Sequence, residues 1–103
     1  MKKTEVLARY TELEAQLKDI YNKLAAIKEQ FEARNWGSSM SADIPWALAT
    51  INSKRREYVC ERKRFAAMPE AEIESLDFVS VFEIKAEEIE GYMCTYRTFK
   101  SMI

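Results

Sequence analysis

The sequence predicts an all-α protein, a small helical bundle or hairpin built as a single domain over residues 1–103. Only two glycines and two prolines interrupt a chain that is 48% hydrophobic and 32% charged, a composition suited to long regular elements with few turns. Near the N-terminus, Val6, Tyr10, Leu13, Leu17, Ile20, Leu24, Ile27 and Phe31 recur at alternating spacings of four and three, so all eight fall on one helical seam. The stretch FVSVFEIK alternates as a strand would, but a lone strand has no partner.

The first helix is placed at about residues 4 to 35. Thr4 and Glu5 suit its start, and Arg34, Asn35 and Gly37 suit its end, where a cation meets the negative end of the helix dipole and glycine takes a left-handed cap. Its seam fits an intramolecular bundle face, because further amphipathic helices follow to cover it. A homomeric coiled coil is the competing reading.

A connector, NWGSSMSADIPW, follows, in which Ser38, Ser39, Ser41 and Asp43 are all able to cap the next helix and Pro45 suits its first turn. The second helix is therefore expected to begin near Pro45. It carries Leu48, Ile51, Tyr58, Val59 and Phe65 in one sector, with Arg55 and Arg62 in the middle of it. An arginine aimed at a core requires a carboxylate partner, for which the acidic last helix is the candidate; otherwise this face is not all core. Pro69 pushes Met68 out of helical geometry and opens a short third helix to about Leu76, with Glu70 and Glu72 at its positive end. Ser80 and Glu83 form S-x-x-E, and Val79 and Ile84 are spaced as a hydrophobic staple, which starts the last helix near Val81. Its stripe is Phe82, Ala86, Ile89, Met93 and Tyr96. Gly91 interrupts it at a cost of about 1 kcal/mol relative to alanine, a cost that makes sense if another backbone packs closely there.

Charge is strongly segregated. The net charge is −1, yet Ser53 to Arg64 holds six bases and two acids, while Glu70 to Glu90 holds eight acids and the single base Lys85. The second helix is basic and the last runs from acidic to basic. The basic run offers a nucleic-acid-binding reading through phosphate contacts, but a pI near 5.6 argues against direct nucleic-acid binding.

Several chemistries lose their usual residues. With no histidine, Ser-His and Cys-His nucleophile schemes are impossible within this chain, and transition metals lose their commonest ligand. Cys60 and Cys94 form no CxxC pair and read as packed, buried or half-buried thiols. No catalytic residue, metal ligand or cofactor is expected. The reading is a non-enzymatic module that binds another protein, with a coiled-coil adaptor or oligomeric structural protein as the alternative. Charges through the N-terminal segment and the lack of a long apolar run place the chain in the cytoplasm, away from a membrane.

Trp36 and Trp46 bracket the connector, either as plugs on the bundle end or as anchors for a partner, a role in which tryptophan is enriched. The candidate partner-binding surface combines Trp36 and Trp46 with Lys54, Arg55, Arg62 and Arg64. Met68–Pro69 reads as a plain helix start or as a slowly exchanging switch, since an X-Pro bond in a loop populates both isomers.

The segments WGSSMSADIPW and KRREYVCERKRFAAMPEAE, set in a small helical chain of segregated charge, resemble the small anti-RecBCD proteins of lambdoid phages, modulators of a host nuclease. The resemblance implies binding to the RecC subunit of the host recombination nuclease RecBCD, in the host cytoplasm, with a host peptidyl-prolyl isomerase involved. Only Pro69, in its AMPE setting, is carried across, as the candidate isomerase-recognised bond.

Overall fold

A computed structural model describes residues 1–34 and 38–103, with side chains described for 1–34 and 43–103. Four helices follow in order: α1 over Lys3–Ala33, α2 over Ser38–Ala66, α3 over Glu70–Glu74 and α4 over Phe78–Lys100. No strand occurs among the described residues, so FVSVFEIK is helical.

Three long helices lie side by side. Lys3 meets Met68, Tyr10 meets Phe65 and Glu14 meets Arg62, so α2 runs antiparallel to α1. Tyr10 meets Phe82, Lys23 meets Tyr96 and Phe31 meets Phe99, so α4 runs back parallel to α1. The result is an up-down-up bundle of 55 × 19 × 17 Å, its length set by α1, which spans about 46 Å at 1.5 Å per residue.

All eight residues of the α1 seam are buried, and they form the spine of the core. Ile44, Ala47, Ile51, Tyr58 and Phe65 of α2 close on them from one side, and Phe78, Phe82, Ile89 and Phe99 of α4 from the other. Each fully buried side chain of this size contributes about 1.5–3 kcal/mol before chain entropy is set against it. The seam is thus covered within one chain, as the bundle reading requires.

Helix ends depart from expectation in three places. First, α2 begins at Ser38, not near Pro45, and Pro45 and Asp43 lie inside it. A proline there removes one backbone bond, and the neighbouring turns are held by the burial of Ile44 and Ala47. Second, α4 begins at Phe78, not near Val81. Its cap is Asp77, whose carboxylate accepts from the Ser80 amide at 3.2 Å and the Ser80 hydroxyl at 2.7 Å. Val79 and Ile84 stay 62% and 58% exposed, so no staple forms. Starting earlier turns Phe78 into the core against Phe65, with ring centroids 4.9 Å apart. Third, Pro69 caps α3 rather than filling its first turn. Asn35 and Gly37, read as helix terminators, lie outside the described residues.

Gly91 is also not where a second backbone of this chain packs. A Cβ built on it meets nothing within 4 Å.

Candidate functional site

The segregated charges are answered at close range, but by a crossed arrangement. Lys85 on α4 is the one buried charged side chain among the described residues, and its ammonium lies 2.7 Å from Glu61 on α2. The same carboxylate accepts the Tyr10 hydroxyl of α1 at 2.7 Å, so Glu61 joins all three long helices. Lys85 also sits over the Tyr58 ring at 4.3 Å and the Tyr10 ring at 5.6 Å. One turn away, Glu88 accepts the Tyr58 hydroxyl at 3.0 Å and faces the Lys54 ammonium at 3.5 Å. Rings on both sides exclude water while the polar ends pair, which is how a charge becomes tolerable in a core.

Titration behaviour follows from these contacts. Burial pushes the Glu61 carboxyl up, but hydrogen bonds from Lys85 and Tyr10 outweigh it and hold the group below its ordinary value. Burial, then the adjacent carboxylates, push the Tyr10 and Tyr58 hydroxyls far above theirs. Burial would lower Lys54, yet Glu88 and Glu57 raise it overall. These groups satisfy one another, which makes them a scaffold for what lies outside.

The predicted partner-binding residues occupy separate faces. Lys54 points to α4, between Glu57 and Glu88. Arg62 points to α1, where Glu14 accepts from it at 2.7 and 3.4 Å, so its carboxylate comes from the first helix and not the last. Arg55 is half-buried on that same flank and has no ion pair among the described residues. Arg64 is exposed and lies over the Phe65 ring at 4.7 Å. The arginines therefore flank the core sector, whose middle is taken by Tyr58 and Phe65. Trp36 lies outside the described residues. Cys60 and Cys94 are both exposed, a correction to their reading as packed thiols, because each falls on the outward face of its helix.

Met68 is half-buried, and its carbonyl, the one that belongs to the amide with Pro69, accepts the Lys3 ammonium at 2.9 Å. Pro69 itself is exposed.

Trp46 stands out from this paired surface. It is 73% exposed on α2, on the side facing α4, beside an open groove between the two helices. The groove is lined by Ala47, Gly91, Tyr92 and Phe99 together with the acidic Asp43 and Glu88. Among the described residues, no cluster of three or more His, Cys, Asp or Glu side chains is placed to hold a metal ion, and no helix is long and apolar enough to cross a membrane.

No protein-family model, curated protein or solved structure matches this chain.

The sequence points to Trp46 but not to Lys85, Glu61 or the groove. A signal for Lys85 was present, since it stands three residues after Phe82 and four before Ile89, on the apolar stripe. The groove had none, because it depends on which flanks of α2 and α4 meet.

Proposed function

We propose that this protein is a non-enzymatic interaction module that docks on a larger protein through the surface around Trp46. The observation that carries this reading is the exposure of that indole on a helix whose other aromatic side chains, Tyr58 and Phe65, are buried. A tryptophan held in water by a rigid scaffold forfeits the gain of burial, and such side chains are the usual anchors of protein interfaces.

The resemblance of the connector and basic segment to anti-RecBCD proteins of lambdoid phages makes RecBCD, through its RecC subunit, the first partner to test. On this reading the protein modulates the host nuclease in the host cytoplasm, and the Met68–Pro69 bond is the site for a host prolyl isomerase. Lys54 and Arg62 then act by bracing α2 against α4 and α1.

The test is direct binding of the full chain to purified RecBCD, measured for wild type and Trp46→Ala. Wild type is expected to bind, and Trp46→Ala to weaken binding by about 30-fold, the effect of a hot spot of about 2 kcal/mol, with an unchanged melting temperature. Absence of wild-type binding rejects the nuclease. Equal binding by the variant rejects the Trp46 surface.

A further inference from the structure

We infer that the groove between α2 and α4 receives a cationic segment of the partner, one that carries lysine or arginine beside a small apolar side chain. The inference rests on the docking reading above and names the chemistry of the partner at that surface.

Charge is the first argument. Among the described residues the groove lining holds the carboxylates of Asp43 and Glu88 and no cation. Glu57 lies beside it and faces the ammonium of Lys54, as does Glu88, so Asp43, Glu57 and Glu88 outnumber the one nearby cation. That ammonium is already shared between Glu57 and Glu88. A cation entering here gains Asp43, which has no ion pair among the described residues, and shares Glu88 with Lys54, whereas an acidic segment is repelled.

The rings give the second argument. Trp46 and Tyr92 line the same groove as Asp43 and Glu88. An aromatic face next to a carboxylate is the pairing that holds a guanidinium or ammonium, with attraction to the ring adding to the ion pair.

Gly91 supplies the third. In mid-helix it costs about 1 kcal/mol relative to alanine, and no neighbour in the chain needs the space, since an added Cβ meets nothing within 4 Å. The bare backbone lies in the groove that Trp46 overlooks, where a partner is able to approach closely. A glycine at this point serves a contact outside the molecule.

The experiment is selection of a random-sequence peptide display library on the immobilised full chain, with binding of the selected peptides then measured against wild type, Gly91→Leu and Asp43→Lys. Leucine favours helix and fills the groove, and Asp43→Lys reverses charge at an exposed position without touching the core. Selected peptides are expected to be enriched in lysine or arginine next to small apolar residues, and to lose at least tenfold in affinity to both variants. Neutral or acidic selected peptides, no enrichment over the Gly91→Leu protein, or affinities unchanged in both variants would overturn the inference. Cationic selection without RecBCD binding sinks only the nuclease assignment. Trp46-dependent RecBCD binding without cationic selection sinks only this inference.

Discussion

The Lys85 ammonium on α4 lies 2.7 Å from the Glu61 carboxylate on α2, which sets the one base of an acidic stretch against one of the two acids of a basic stretch. Opposite runs of charge thus meet by exchanging single residues across the core. The bulk of each run remains on the surface, where Arg56, Lys63, Glu83 and Glu87 are exposed.

Breaking that pair on one side leaves a charge in a poorly solvated site. Lys85→Met is expected to destabilise the fold by about 3 kcal/mol in urea titration, and Lys85→Met with Glu61→Leu to recover most of the loss. A double variant no better than the single one would show that the lysine acts through packing alone.

Stability is expected to fall at both ends of the pH scale. The Glu61 carboxyl is held below its ordinary value of 4.5, so its stabilisation is present above that pH and lost as pH falls through the lower folded value. Asp77, held down by its hydrogen bonds from Ser80, acts with the same sign. Tyr10 and Tyr58 are raised above 10.0, so their contribution is present below that pH and lost as pH climbs past it. Melting temperature followed across pH should therefore drop on both sides, and Glu61→Gln should flatten the acid limb.

Because the α1 seam is covered by α2 and α4, the chain is expected to sediment at about its own mass of 12.1 kDa across concentrations. Leu17→Ala should cost about 2–5 kcal/mol and Leu17→Asp should abolish cooperative unfolding. A dimer that tightens with concentration would favour the coiled-coil alternative.

Gly91→Ala places a methyl group in open space on a helix and is expected to stabilise the protein by about 1 kcal/mol in thermal or urea melts. Trp46→Ala should change stability by no more than about 0.5 kcal/mol, since the ring is largely in water. A large destabilisation by Trp46→Ala would mark that residue as a cap on the bundle.

The exposed bases test the nucleic-acid reading. Arg56→Ala with Lys63→Ala should leave RecBCD binding within about twofold of wild type, since the proposed surface lies on another flank of α2. Tight duplex-DNA binding that weakens steeply with salt and disappears in this variant would replace protein docking with phosphate recognition.

The all-helical fold and the α1 seam were determined by the sequence itself, because a helix fixes which residues share a face and eight apolar side chains at 3.5-residue spacing leave no other face to bury. Pro69 likewise marked the break before α3, since a proline restricts its neighbour wherever it occurs. Tertiary structure decided what those local rules do not reach. Pro45 suits a helix start, yet burial of Ile44 and Ala47 carries α2 past it, and S-x-x-E suits a start near Val81, yet burial of Phe78 moves α4 a turn earlier. The partners of Arg62, Lys85 and Tyr10 lie 48, 24 and 51 residues away along the chain, and helical spacing says nothing about which flank of one helix meets which flank of another. The same holds for the groove, where Trp46 and Gly91 come together only because α2 and α4 run side by side.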